Sequence, residues 1–538
     1  MEFNRRDFLG ASAVVGTGAV SLAALTGVGT GASTASAAEA AWDKEADIVV
    51  VGSGTAAMGA ISAMSLGAES VILLEKGGVW GGTSAMSGCG SWVPCAYCQA
   101  EAGVEDSPEM AQAYMLKTTA GRVDENVALA YLDAAPKFAQ WTHDTFDWEW
   151  YCGPNGGDYF DAYEGSLGDG RTVFVKFDEG NLWSHAEQIA SDLGVEVLFE
   201  TPATSLITDE TGAVVGVLAQ AKDGAELRIH AKKGVILGTG GFDHNLAMIK
   251  AFQPSRPYVT NAAAGDTGDG HLMGMAVGAD LAHMDTNWGL PCFYEGEFDA
   301  GADMVSDFKT NDWFMYRTKP NAIVVNKYGK RFGNEASAYA IFNRAWEEWD
   351  TGLQEYRNLP AYFICDSEFT QYFTLPGQAA VGDPMPEYVV SADTLEELAE
   401  KLGIDPEGLT SEVAAFNENA EQGLDPQWHR GEKSYDQNTS ADMTSGRDLL
   451  SMSLGPVATP PFYGALYVPG TCGTNGGLLV DANSQVVNVW GEAIPGLYAV
   501  GNCSAGVSGG AYCGGGMTIG AGIVMSWVAV RHMLGIAE

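Results

Sequence analysis

The pattern Gly52-x-Gly54-x-x-Ala57, set directly after the apolar run Ile48-Val-Val-Val51, is suited to cradling a phosphate. Its two glycines permit a tight turn and a close approach of backbone N–H groups to a pyrophosphate, and Ala57 lets the next helix pack against the strand. A second apolar strand, Ser70 to Leu74, ends in Glu75, where a carboxylate can accept from ribose hydroxyls. The chemistry implied is dinucleotide binding, with the pyrophosphate at a helix N-terminus whose unpaired N–H groups and dipole favour an anion.

Two further glycine loops argue for FAD rather than NAD. Lys76 to Ser84 follows Glu75 at once, and Lys76, Gly81, Gly82, Thr83 and Ser84 are its candidate cofactor contacts. Gly234 to Phe242, with Gly240 at its turn, reads as another strand and loop, and Gly496 to Asn502 as a third, with Asn502 the candidate ligand residue. Separated glycine loops returning to one ligand predict a long cofactor held by a domain that an insertion interrupts.

Nine cysteines, an odd number, do not form a simple disulfide framework. Cys89, Cys95, Cys98 and Cys152 have spacing that would suit an iron–sulfur cluster; the alternative is inert, close-packed small side chains. Cys472, Cys503 and Cys513 each sit inside a glycine motif expected to face the active site. No Cys-x-x-Cys-His occurs, so no c-type haem is expected.

The elements that must position these groups span 538 residues, enough for two substantial domains. The start, Asn4-Arg5-Arg6-Asp7-Phe8-Leu9, followed by a weakly apolar run and Ala35-Ser36-Ala37, reads as a twin-arginine export signal over 1–37. The expected organisation is a first FAD-domain segment over 40–243, a capping domain over 244–375, and a return to the FAD domain over 376–538. The first segment includes an antiparallel excursion from Glu196 to Ala231. Helices are expected over Thr394 to Gly403, capped by Asp393, and over Leu409 to Gln422. The fold class is α/β, a Rossmann-like FAD-binding domain interrupted by an α+β capping domain. The net charge of −41 disfavours nucleic acid and anionic membrane surfaces as partners, and repels a small polyanion unless the site carries its own cations.

The chain resembles the flavoprotein subunit superfamily of fumarate reductase and succinate dehydrogenase. The matching blocks are Val49 to Glu75, Gly81 to Ser84, Gly265-Asp-Thr-Gly-Asp-Gly270, Asn326 to Glu335, Pro460 to Tyr463, Gly473 to Leu478 and Gly496 to Gly520. Within it the chain looks closer to the 3-ketosteroid dehydrogenase branch, and it is also similar to exported flavin reductases of anaerobic bacteria of the cardiac glycoside reductase type. The resemblance adds Asp269, Gly270, Thr518 and Ile519 to the cofactor contacts. It implies non-covalent FAD, because no histidine stands near Gly81 where succinate dehydrogenases attach theirs.

The substituted positions carry the substrate expectation. Fumarate reductases place an arginine proton donor, a histidine and a second arginine where this chain has Tyr339, Gly473 and Tyr512. A dicarboxylate needs charge-assisted donors to offset its desolvation, so C4-dicarboxylate reduction is disfavoured. Ketosteroid dehydrogenases have tyrosines at these points. The resemblance therefore implies that Tyr512 and the Gly516 N–H bind a carbonyl and that Tyr339 transfers a proton; Tyr159 matches a further family tyrosine loosely. The aromatic stretch Trp288 to Tyr294 has no counterpart in the pattern. The implied activity is reduction of an activated C=C bond in a neutral, hydrophobic, steroid-like enone, the alternative being ketosteroid-type dehydrogenation. Electrons are expected from a separate membrane-linked cytochrome or flavoprotein.

Overall fold

The structure is a computed structural model that describes residues 41–536, apart from 154–156, 255–257, 297, 299–305, 308–315, 439–441 and 443–444, together with the short strand Ala35–Ser36. That strand pairs with Ile207 and Thr208; the remainder of the expected export signal lies outside the described residues. No described helix is long and apolar enough to cross a membrane.

The strand Lys44–Val51 lies at the centre of a parallel sheet, between Val71–Leu74 and Glu226–Leu237. Glu196–Leu198 extends one side and Ala493–Ala499 the other. Both faces are covered, which explains the uninterrupted apolar run. Ile48 and Val50 pack with the helices Ala57–Ser65 and Met517–Met533, whereas Val49 and Val51 pack with Leu206, Val217 and Leu478 on the other face. Ser526 Oγ of the last helix donates to Thr55 O (3.2 Å), fixing the C-terminal helix to the first glycine turn.

The antiparallel excursion forms with Val214–Gln220 between Ala203–Thr208 and Glu226–Leu237 and antiparallel to both, whereas Glu196–Leu198, expected to open it, belongs to the parallel sheet. The strand Glu226–Leu237 is dual. Residues 226–230 close the hairpin while 229–231 already pair with 44–46, and after a register shift between Ala231 and Gly234 the strand continues in the parallel sheet. The loops after Val51, Leu237 and Ala499 consequently emerge together at the carboxyl end of the sheet, where α/β folds bind ligands.

The capping boundaries differ from those expected. Cys292–Phe293, Phe462–Val468, Ala361–Cys365 and Ala322–Asn326 form one antiparallel sheet, joined by Val390–Ala392. Helices Leu395–Leu402 and Pro406–Ala420 cover its face through Leu398, Leu409 and Val413. Residues 376–468 thus complete the capping sheet rather than returning to the FAD domain. Conversely Asp269–Ala276, expected in the cap, buries Met273 against Leu478 and Leu237 of the nucleotide domain. Strand periodicity identifies a strand but not its sheet. The caps also shift: Thr394, not Asp393, accepts from Glu397 N, and Asp405 caps a helix that starts at Pro406.

Candidate active site

A cavity of about 560 Å³ opens over the carboxyl ends of the strands. At one end stand Gly52, Gly54, Gly82, Thr83 and Ser84, the groups expected at a pyrophosphate. Gly52 has φ +104°, and an added Cβ would lie 2.2 Å from Gly238 O, so only glycine permits this turn. Ala57 does not reach the cavity; it is buried in its helix, as a packing residue should be. Ser53 donates its N–H (3.0 Å) and Oγ–H (2.6 Å) to Glu75 Oε2, and Gly77 N donates to Oε1 (2.7 Å). A carboxylate offers about four acceptor sites, so Glu75 retains capacity for a ribose hydroxyl. The residues fit an FAD.

Lys76 Nζ meets Asp269 Oδ2 at 2.8 Å and Thr267 Oγ1 at 2.7 Å, tying the second glycine loop to the 265–270 loop across the cavity. Gly240, Asn502, Thr518 and Ile519 line the wall as expected. Gly81 and Gly270 do not line it. Their N–H groups donate to Ser53 Oγ (2.8 Å) and Thr239 Oγ1 (3.1 Å), so they shape the loops from behind.

Asp266 lines the cavity and was not singled out by the sequence, because the Gly265–Gly270 pattern does not say which of its acids faces inward. Thr83 Oγ1 donates to its Oδ2 (2.9 Å), and Gly240 must be glycine because a Cβ there would meet Oδ1 at 2.3 Å. Burial, reinforced by Asp243, pushes the Asp266 carboxyl up to about 8. A carboxyl raised on folding binds its proton more tightly in the native state. Its contribution therefore lowers stability as pH rises from the ordinary value near 4 towards 8, by about 1.4 kcal/mol per pH unit. Asp266→Asn is expected to remove that slope from the apoprotein, seen by comparing unfolding of the two proteins between pH 5 and 8.

The other end is aromatic. Tyr339 opens the short helix Tyr339–Asn343, Tyr512 lies in the glycine strap before the C-terminal helix, and Tyr159 lies in a loop before Phe160. Their hydroxyls form one chain, Tyr159 to Tyr339 at 2.9 Å and Tyr339 to Tyr512 at 3.1 Å. The loosely matched Tyr159 is thus brought to the site. Trp288, from the aromatic stretch, packs edge-on to Tyr512 at 4.7 Å, and its Nε1–H donates to Asn502 Oδ1 (2.8 Å). Tyr435, Phe174 and Cys472 complete this end; Cys472 lies in a glycine motif expected to face the site, whereas Tyr435 and Phe174 were not identified from sequence. Burial raises all three phenols above their ordinary range, so they stay protonated donors.

Gly516 has φ +80°, its missing Cβ is replaced by the Gly90 carbonyl at 2.3 Å, and it lines the cavity at the N-terminus of Met517–Met533. Among the described residues no arginine or histidine lines the cavity, and Lys76 lies at the nucleotide end, paired with Asp269. At Gly473 a Cβ would lie 2.4 Å from Asn502 Nδ2, so the histidine of the dicarboxylate enzymes would need rearrangement to fit.

Tyr339 is placed by buried charge. Arg317 donates to the carbonyls of Glu335 and Ser337, the latter at 2.9 Å, just before the tyrosine. Glu335 is in turn held by Arg331 (2.8 and 2.6 Å), which also holds Asp425. The cysteine cluster considered above is not assembled. Cys98 faces Cys152, Cys89 lines the cavity, and the backbone of Cys95 donates to Asp106; no described group of three or more acidic, cysteine or histidine side chains could hold a metal. Burial pushes Cys98 up to about 12 and Cys95 up to about 11.

Comparison with known proteins agrees with this geometry. Residues 47–519 match the FAD binding domain family. The chain is 30% identical to 3-oxosteroid 1-dehydrogenase of Mycobacterium tuberculosis, over 91% of this chain and 98% of that one. It is 28% identical to 4-oxocyclohexanecarboxylate 2-dehydrogenase of Sinomonas cyclohexanicum, over 91% and 93%. The structure of 3-ketosteroid delta1-dehydrogenase from Sterolibacterium denitrificans, in complex with 1,4-androstadiene-3,17-dione, superposes with a TM-score of 0.82 at 27% identity, covering 92% of this chain and all of that one. With a nucleotide cradle at one end of its cavity and the family pattern over residues 47–519, the chain belongs to the FAD binding domain family and is an FAD-dependent oxidoreductase acting on CH–CH bonds.

Proposed function

We propose that this enzyme reduces the C=C bond of a neutral, hydrophobic, steroid-like enone. The observation that carries the reading is the cavity end built of three linked phenols with no cationic side chain on its described wall. A carboxylate there would lose its hydration without a charged donor in return, whereas a ketone needs only one or two neutral donors.

Bound FAD supplies the hydride that the β-carbon accepts. Tyr512 Oη–H and the Gly516 N–H face the carbonyl oxygen, where negative charge gathers as the substrate becomes an enolate. Donors fixed at developing charge stabilise the transition state more than the ground state. Tyr339 then gives its proton to the α-carbon, and the Tyr159 hydroxyl, 2.9 Å away, returns one to it. FAD is held non-covalently, the chain is exported by the twin-arginine route, and a separate membrane-linked cytochrome or flavoprotein delivers electrons.

The test is anaerobic mixing of dithionite-reduced protein with cyclic enones, cardenolides and fumarate. Neutral enones reoxidise the flavin in a saturable reaction and fumarate does not; fast, saturable reoxidation by fumarate would overturn the reading. The dehydrogenase direction is a second reading, favoured by the names of the relatives, and bleaching of oxidised protein by a saturated 3-ketosteroid would select it. The same residues serve with Tyr339 as base.

A further inference from the structure

The two ends of the phenol chain, on either side of Tyr339, come from segments far apart in sequence: the 157–160 loop carries Tyr159, and the 512–516 strap carries Tyr512 and Gly516. One buried hub joins them. Asp158 is 1% exposed, and both of its carboxylate oxygens are engaged. Oδ1 accepts from Trp92 Nε1 (2.8 Å), and Oδ2 accepts from Arg171 Nη1 (2.6 Å) and Leu167 N (2.9 Å). Arg171, itself fully buried, is locked from its other edge by Asp106 at 3.0 and 2.6 Å.

The strap is held by the same groups. Asp158 faces Gly514 across an antiparallel bridge, and Tyr159 N donates to Cys513 O (2.9 Å). Cys513 O also accepts from the Tyr114 hydroxyl, which accepts from Phe160 N (3.1 Å). Trp92, whose indole holds Asp158, donates its backbone N–H to Gly516 O (3.1 Å), and Thr172 Oγ1 donates to Gly515 O (2.8 Å). The strap carbonyls are thus drawn towards the hub.

Two carboxylates against one guanidinium are an expensive way to gain stability, because the desolvation of buried ions cancels much of their attraction. What the array delivers is register. A proton-transfer chain of 2.9 and 3.1 Å steps tolerates little drift, since a misplacement near 1 Å can cost ~10²-fold in rate. We infer that Asp158 is a positioning residue for proton transfer: through Trp92 and Arg171 it clamps the Tyr159 loop to the Tyr512–Gly516 strap and sets the spacing of the phenols. It does not line the cavity and acts through Tyr159, which does.

The inference rests on the proposed function for its kinetic test and is independent of it in a second measurement. In the first, Asp158→Ala lowers the saturating rate of reoxidation by enone ~100-fold, with flavin content unchanged and half-saturation within ~3-fold. Asp158→Asn, which still accepts from the indole, recovers to within ~10-fold of wild type. In a Tyr159→Phe background Asp158→Ala costs less than ~3-fold more, because residues acting as one unit are not additive. In the second, hydrogen exchange in the oxidised holoenzyme shows faster exchange of the Tyr159 amide in Asp158→Ala. Multiplying kinetic losses, or an unchanged Tyr159 amide, would overturn the inference. If wild type turns over no enone, the proposed function fails and the exchange result alone decides the clamp. Should Asp158→Ala not fold, Trp92→Phe removes only the indole donor, and ~10-fold loss with the same non-additivity is expected.

Discussion

Replacing Tyr339 by phenylalanine is expected to lower the saturating rate of enone reduction by ~10²–10⁴-fold, the range supplied by a positioned general acid. Replacing Tyr512 is expected to cost ~10²–10³-fold, as removal of one donor at a developing oxyanion does. Both leave FAD bound, since neither residue is near the nucleotide end where Glu75 and the glycine turns lie. The two losses do not multiply, because the hydroxyls are 3.1 Å apart and belong to one chain. Rapid mixing of reduced protein with enone, followed by flavin absorbance, measures each. The pH dependence separates directions. Burial raises Tyr339 well above its ordinary value, so the acid form persists and reduction stays flat into the alkaline range. Dehydrogenation needs the phenolate, so its rate climbs with pH over the same range. Retention of full rate by the double phenylalanine variant would remove the phenols from the mechanism.

What was legible in the sequence follows from how local each determinant is. The nucleotide end was readable because Gly52, Gly54, Ala57 and Glu75 occupy one contiguous strand–turn–helix–strand unit whose spacing is itself the constraint. Tyr339 and Tyr512 were readable only through family pattern, since nothing in their local composition separates a reactive phenol from a packed one. Asp266 and Asp158 were not legible. The first faces the cavity only because Gly240 leaves it room, and the second matters only because Arg171 and Trp92 converge on it. The cap boundary failed for the same reason: the partners of Phe462–Val468 lie far upstream in sequence, at 390–392, 361–365 and 292–293. The cysteines show the converse hazard, a suggestive spacing whose side chains point to different places.

The second large effect is on stability, at the block that places Tyr339. Arg331 joins Glu335 (2.8 and 2.6 Å) to Asp425 (3.0 and 2.7 Å) while its guanidinium lies over the Phe416 ring at 4.7 Å; all three charged side chains are essentially buried. Arg331→Leu strands two buried carboxylates, leaving Arg430, 3.4 Å from Glu335, as the nearest ion-pair partner among the described residues. Breaking a buried ion pair from one side costs ~3–5 kcal/mol, and that loss is expected in urea unfolding of the holoenzyme. Burial alone would raise Glu335 and Asp425, yet Arg331 and then Arg430 bring both below their ordinary values. Such depressed groups contribute stability that is present above about pH 4.5 and is lost as pH falls through their native values. The deficit of Arg331→Leu is therefore largest at neutral pH and shrinks on acidification, because the variant's carboxyls take up protons first. Converting Glu335 and Asp425 to leucine alongside Arg331 is expected to restore part of the stability, since the stranded carboxylates are gone but buried Arg430 then loses Glu335 as its partner. Activity does not return with it: the loop that ends in Tyr339 has lost the ionic frame that fixed Glu335, whose carbonyl Arg317 grips. Recovery of both together would show that the charges serve stability alone and that the phenol finds its place without them.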